Sequence, residues 1–349
     1  MEQYTYDWEG DNNTSGEQSV TPVTITYKVM DNLDVGLRTA NIDSRNTTEG
    51  REGHVNAQGD TALSAAYAQE LRNNWNIRYN LDYNIPTGKE TLSGSEKNAI
   101  MDGSLVQQTR FGEGENVTPG IVVTKVVSPN ANIGVGVSRT IKGKFDPNGD
   151  VENDVLDPGD ETRVSLQGHF AKGNTQVIGG MNYTQSDETQ RDNVDYYRKG
   201  DSYDTNVTVV HALPNDQRIT VGVRHSKQDP DYYISSITGN LDKESRNVNG
   251  KSLYTSVEYA KTWRGQHTVR VNADKLKIDA NSYDQLNDLY NAGRNKTQFG
   301  LGYDYQINQK ARFYTDLKQF EMKDKATPAT LVDTKYTGTQ ISAGIDWAF

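Results

Sequence analysis

Residues Asn74 to Ile85 (NWNIRYNLDYNI) place Trp75, Ile77, Tyr79, Leu81, Tyr83 and Ile85 on every second position, with Asn76, Arg78, Asn80, Asp82 and Asn84 between them. A helix would scatter that pattern around its axis, whereas a strand sends the two sets to opposite faces. Each face then has its own solvent requirement: the first needs an apolar neighbour and the second needs water or polar partners. At roughly 3.3 Å per residue the segment is long enough to cross a bilayer when tilted. The last fourteen residues, Tyr336 to Phe349 (YTGTQISAGIDWAF), repeat the pattern. Phe349, Trp347, Ile345, Ala343 and Ile341 share one face; Ala348, Asp346, Gly344, Ser342 and Gln340 share the other.

The same unit recurs along the chain, giving strands at 2–8, 18–29, 33–42, 60–70, 74–85, 116–127, 132–143, 161–171, 174–186, 202–212, 217–228, 251–261, 266–278, 295–305, 309–321 and 336–349, sixteen in all. Seven short connections carry turn residues such as Asp31-Asn32, Asn73-Asn74, Lys172-Gly173-Asn174 and Arg264-Gly265. Eight long ones, at 9–17, 43–59, 86–115, 144–160, 187–201, 229–250, 279–294 and 322–335, alternate strictly with them. Segregated loop lengths are what an up-and-down antiparallel transmembrane β-barrel of sixteen strands produces when both termini lie on the short-turn side. The fold expected is therefore all-β, a single barrel domain over 1–349 with long extracellular loops and short periplasmic turns. Tyr27, Trp75, Tyr305, Trp347 and Phe349 near the turns, and Trp8, Tyr83, Tyr183 and Tyr336 near the loops, suit interfacial girdles. Two strands fit less well: 116–127 is apolar on both faces and Arg139 points to lipid in this register, so a bulge is expected there.

The terminal strand and the loop pattern resemble Gram-negative outer-membrane β-barrel porins. That resemblance implies bacterial outer-membrane residence with periplasmic termini. It also implies contact with outer-membrane lipid and lipopolysaccharide, and recognition of the strand ending in Phe349 by the barrel-assembly machinery. Composition agrees with a chain whose inner face is wet: mean hydropathy is −0.81, yet 20 Tyr and 31 Gly are not a disordered chain's usage. No apolar run reaches the 18 residues of a transmembrane helix. No export signal follows Met1, so the chain reads as a mature form with a start methionine. With no cysteine there are no disulfides, thiolate metal sites or covalent haem attachment, and a net charge of −10 argues against nucleic-acid binding.

Carrying the last strand's register backward assigns the lumen. Its basic residues are Lys28, Arg38, Arg78, Arg163, Arg218, Arg224, Arg270, Arg312 and Lys318; its acidic ones are Asp34, Asp82, Glu258, Asp274, Asp304, Asp316 and Asp346. Sixteen strands enclose a channel too wide for side chains to fill. A polar lumen of mixed sign points to a porin, a water-filled channel for passive diffusion of small hydrophilic solutes.

The longest connection, 86–115, contains Ser95-Glu96-Lys97-Asn98-Ala99-Ile100-Met101-Asp102-Gly103, which reads as a short helix with Ser95 as N-cap and Gly103 as its stop. By position it resembles the third-loop constriction of diffusion porins, and Ser95, Glu96, Lys97 and Asp102 are the expected constriction residues. Ile85-Pro86-Thr87-Gly88-Lys89, Arg110-Phe111-Gly112-Glu113-Gly114 and Ile133-Gly134-Val135-Gly136-Val137 resemble the outer-membrane transporter family of the phenol-degradation meta pathway. That resemblance covers roughly residues 75 to 170 and implies uptake of small aromatic compounds as the alternative. A third reading is a structural barrel sheathing a partner such as an electron-transfer cytochrome.

In 144–160, Asp146, Asn148 and Asp150 alternate as ligands of a Ca²⁺ ion do, although Val151 stands where an EF-hand loop needs glycine. No other cofactor is indicated. The five histidines, His54, His169, His211, His225 and His267, sit in no catalytic motif, and no enzyme activity or catalytic residue is expected.

Overall fold

The structure, a computed structural model, describes residues 2–235 and 237–348; Phe349, the expected closing aromatic, lies outside the described residues. In chain order the strands begin β1 (Glu2–Gly10), β2 (Thr14–Met30), β3 (Leu33–Thr48), β4 (Arg51–Gln58), β5 (Thr61–Leu71), β6 (Trp75–Ile85), β7 (Asn116–Ser128) and β8 (Ala131–Lys142). They continue as β9 (Leu156–Asp157), β10 (Glu161–Lys172), β11 (Thr175–Ser186), β12 (Glu188–Arg191), β13 (Val194–Arg198), β14 (Ser202–Leu213) and β15 (Gln217–Gln228). The last are β16 (Tyr232–Ile234), β17 (Leu241–Lys243), β18 (Ser252–Trp263), β19 (His267–Ile278), β20 (Arg294–Asn308), β21 (Ala311–Asp324) and β22 (Thr334–Trp347).

Sixteen of these form a closed antiparallel wall, because β1 pairs with β2 on one side and β22 on the other. Every one of the sixteen expected segments is a wall strand. Closure leaves no edge in the wall, which is the condition for a β-structure to stand in hydrocarbon. At the short turns Asn73, Asn74, Asn215 and Asp216 take left-handed φ of 60, 61, 61 and 56°, a conformation Asn and Asp tolerate better than branched residues.

Outward-facing residues over the half of the wall nearer the short turns are apolar: Ile25 and Tyr27 on β2, Phe299 and Leu301 on β20, Ile341 and Ile345 on β22 are all solvent-exposed in the isolated chain. Eleven residues of β6, tilted by about 40°, give a belt roughly 25 Å tall, the thickness of a bilayer's apolar slab. Nearer the long loops, on β20 to β22 and β1 to β4, the polarity of the two faces inverts without any shift of register. There Asp7, Glu9, Glu17, Glu321 and Thr337 face out, while Tyr6, Trp8, Val20, Ile42, Phe320 and Met322 face in and are buried. These seven strands therefore stand clear of the lipid: water is outside them and a packed core inside.

The inversion corrects three expectations. Residues 9–17 are not a long loop but the ends of β1 and β2 around a tight turn, with Asn12 and Asn13 left-handed. Residues 43–59 are likewise a hairpin of β3 and β4 turning at Glu49 and Gly50. Trp8 and Tyr336 are not girdle residues: they meet edge-to-face inside the wall, with ring centroids 5.8 Å apart. The expected bulge lies not at Arg139, whose strand pairs continuously with β10 from Ala131 to Thr140, but at the turn end of β7, where the pairing with β8 shifts by one residue between Val126 and Ser128. Arg139 does face outward, at the loop end, where Asp160 and Asp187 bind it at 3.0 and 2.7 Å. The long connections also carry a second sheet, β9, β12, β13, β16 and β17, outside the wall order.

Candidate functional site

The expected lumen residues all fall on the face opposite the apolar belt, because strand parity carries around the wall from Asp346 to Lys28, the register shifting only at turn ends, as after Gln306, Val126 and Lys28. From β14 to β22 their charges neutralise one another. Arg270 sits between Asp304 at 2.8 Å and Asp316 at 3.0 Å, with Glu258 at 3.9 Å. Arg218 binds Glu258 at 3.2 Å, Lys318 approaches Asp274 at 3.5 Å and Arg312 binds Asp346 at 3.2 Å. Arg224 binds Asp204 at 2.8 Å; the sequence reading overlooked Asp204, although the register of its strand marks it as inward. Solvated pairs of this kind add about 0–1 kcal/mol each, so they shape the electrostatics of the wall more than its stability.

On the other side of the barrel the charges stand apart. Among the described residues, Arg38, Arg163 and Asp82 make no side-chain hydrogen bond or ion pair, and Arg78 donates to Asn80 at 3.0 Å. Lys28 reaches back to Asp31 in the turn at 3.2 Å. Around them the inner face is small and polar: Ser64, Ala66, Gly120, Gly136 and Ser138.

The connection 86–115 folds against the inner face of the inverted strands. Met101, Leu105 and Val106 pack with Tyr6, Trp8, Phe320 and Met322; Leu92, Ala99 and Phe111 pack with Val20, Ile42 and Val55. Polar wall residues bond the loop backbone directly. Gln18 exchanges two bonds with Gln108 (2.8 and 2.9 Å), Ser44 donates to the Ala99 carbonyl at 3.0 Å and Asn46 to that of Asn98 at 2.7 Å. At its far reach Asp102 accepts from Arg294 at 2.6 Å and the Ser104 carbonyl accepts from Lys296 at 2.6 Å. Leaving the wall at β6 and reaching β20, the loop passes β5, β3, β2, β1, β22 and β21, close to half the circumference.

Its helix starts two residues earlier than expected and is of 3-10 form, Gly94–Ala99, after the N-cap Ser93. Glu96 accepts from the Ser93 N–H at 3.1 Å, half of a capping box. Gly94, with a φ of 52° and its N–H 2.9 Å from Asp150, moves the start forward from Ser95. The backbone then turns extended at Ile100 instead of continuing to Gly103. Of the four expected constriction residues, Asp102 ties the loop to the wall, whereas Glu96 and Lys97 brace it internally against Lys89 and Asp150. Ser95 makes no bond to the wall and borders the outer cleft beside Glu52 and His54.

Of Asp146, Asn148 and Asp150, the last two converge on an ammonium. Lys97 Nζ lies 2.7 Å from Asp150 and also donates to Asn148, while the Asp146 carboxylate accepts from the Asn148 N–H at 2.9 Å. Among the described residues no group of three acidic or histidine side chains is gathered for a metal. Instead this segment clamps the constriction loop: Gly149 N–H donates to the Leu92 carbonyl at 3.1 Å. Its outer end is held in turn by Arg191, bound through both guanidinium arms to the buried Asp154. Lys97 holds the Asp150 carboxyl below the usual range, and Lys89 does the same for Glu96. Burial works to raise Asp102, but its bonds from Arg294 and Ser104 hold it low. Glu90 is pushed up by burial and by the nearby Asp60 and Asp146.

The chain has the architecture of an outer-membrane β-barrel. No family model matches it, and no curated protein matches it in sequence. Among solved structures it is similar to the CymD monoaromatic hydrocarbon channel, at 10% identity and a TM-score of 0.42, covering 99% of this chain and 87% of that one. It is similar also to an outer membrane channel from Pseudomonas putida F1, at 12% identity and 0.44 over 79% and 94% of the two chains. A mutant porin of Rh. blastica shows 11% identity and 0.36 over 98% of both. None of the three bears on what this chain carries.

Proposed function

We propose that the protein is an outer-membrane porin, a water-filled channel for passive diffusion of small hydrophilic solutes, narrowed by the loop 86–115, with its termini and short turns in the periplasm. The observation that carries this reading is the inner face itself. Its charges either pair along the wall or project, unpaired, beside glycine, alanine and serine, and only water can solvate them there. The loop lines one side of the lumen and leaves the other, from β7 to β19, as the free path. It also takes up space that a sheathed cytochrome would need, which favours the open channel over the sleeve.

Planar-bilayer recording on the purified protein tests the reading, with steady conductance in KCl expected. Deleting residues 93–104 is expected to raise that conductance, since the segment spans the docked helix and Asp102. A barrel that carries no current refutes the channel, and an unchanged current in the deletion variant refutes the constriction.

A further inference from the structure

Between the returning limb of the loop, residues 107–113, and the inner wall lies a cavity of about 370 Å³. Its apolar floor is small, made by Pro22, Ala40 and Ala62, which are part-exposed, over the wholly packed Val20, Ile42 and Phe111. Two guanidinium groups border it from opposite sides, Arg38 on the wall and Arg110 on the loop. Arg38 has no hydrogen-bond or ion-pair partner among the described residues, and Arg110 spends one nitrogen on Glu113 at 3.4 Å. The nearby carboxylate of Asp60 is already committed: it accepts from Gly88 N–H at 2.9 Å, Asn84 Nδ2 at 2.9 Å and Glu113 N–H at 3.0 Å. The site therefore offers free, fork-shaped cation donors above an apolar surface.

We infer that this cavity is a binding site for a small organic carboxylate with an apolar body, and that such solutes are the preferred cargo. An inorganic anion would satisfy the guanidinium groups and leave the floor wet; a neutral apolar solute would do the reverse. Only an amphipathic anion answers both, with Arg38 and Arg110 taking the carboxylate edge-on. The volume lies within the range of small-molecule pockets, and a few placed polar groups over an apolar lining is their usual make-up. The assignment of cargo rests on the channel reading; the binding site itself does not.

The test records single channels in KCl while sodium hexanoate is added, against hexanamide (same body, no charge) and sodium formate (same charge, no body). Hexanoate is expected to interrupt the current at the lowest concentration of the three. In Arg38→Gln its half-blocking concentration should rise about tenfold, the worth of one charged hydrogen bond, and Arg38→Lys should recover part of the loss. Equal block by formate or hexanamide, or an unchanged value in Arg38→Gln, overturns the site. A protein without any current fails the channel reading alone. In that case equilibrium dialysis of labelled hexanoate against wild type and Arg38→Gln in detergent still decides the site, equal uptake counting against it.

Discussion

Replacing Gly53 by alanine would press on a place where loop and wall meet backbone to backbone. A Cβ on Gly53 would stand 2.2 Å from the Ala99 nitrogen and 2.3 Å from the Asn98 carbonyl carbon, against an ordinary contact of 3.4 Å or more. Neither atom belongs to a side chain that can rotate away, so helix and hairpin must part by more than 1 Å. The same displacement carries the bonds from Ser44 to Ala99 and from Asn46 to Asn98, now 3.0 and 2.7 Å, past bonding range. Each loss costs about 1–3 kcal/mol. The hairpin is braced by its pairing with β3 from Asn41 to Thr48, whereas the six-residue helix is not, so the helix gives way. A net weakening of about 2 kcal/mol raises the population of released loop roughly thirtyfold. Single-channel recording should then show higher mean conductance and more frequent flicker, and trypsin should cut at Lys97 correspondingly faster. A folded Gly53→Ala barrel with wild-type conductance and wild-type cleavage at Lys97 would refute the reasoning.

Two further outcomes follow from the faces and from the loop's acids. Leu301→Arg, in the outward apolar belt, should cost about 2–4 kcal/mol and prevent heat-modifiable barrel from forming. Glu17→Arg, on the same outward face but above the belt, should stay within about 0.5 kcal/mol; equal damage from both would place lipid against the inverted region. Because Glu90 holds its proton more tightly in the docked loop than when free, docking weakens as pH rises through and above its ordinary value of 4.5. Glu90→Gln should therefore reduce flicker at pH 7 and make no difference well below pH 4.5, as recordings across that range would show.

The wall was legible because lipid leaves a strand little choice: within the belt every second residue must be apolar, and that period survives in a single sequence. Where the strands leave the belt the rule reverses, and reading outward apolar residues cut β3 short at residue 42 and turned Trp8 and Tyr336 outward. The inward set could have been extended by noticing that Tyr4, Tyr6 and Trp8 alternate with Thr5, Asp7 and Glu9, a soluble-type pattern. The loop's docking was not legible in the same way. Nothing in the sequence near Asp102 names Arg294 as its partner 192 residues away, and the alternating acids of 146–150 look the same whether they meet a cation from solution or, as Asp150 does, the ammonium of Lys97. Lumen residues could be assigned to a face by parity alone, but their pairing depends on which strands are neighbours across the long connections.

The packing surface under the loop has one property that bears on how the molecule is made. It draws Tyr6 and Trp8 from the first strand and Phe320, Met322 and Tyr336 from the last two, so it straddles the seam where the chain's two ends meet. While the sheet is still open, each half presents a few apolar side chains and neither can hold Met101 or Leu105. The stretch around Met101 and Leu105, synthesised long before β21 and β22, has to wait undocked until those strands arrive beside β1, although Leu92, Ala99 and Phe111 can already rest on β2 to β4. Docking of that stretch then reports that the circle is complete, and an unfinished barrel is left with a loose, protease-sensitive segment around Met101 and Leu105 that distinguishes it from a finished one.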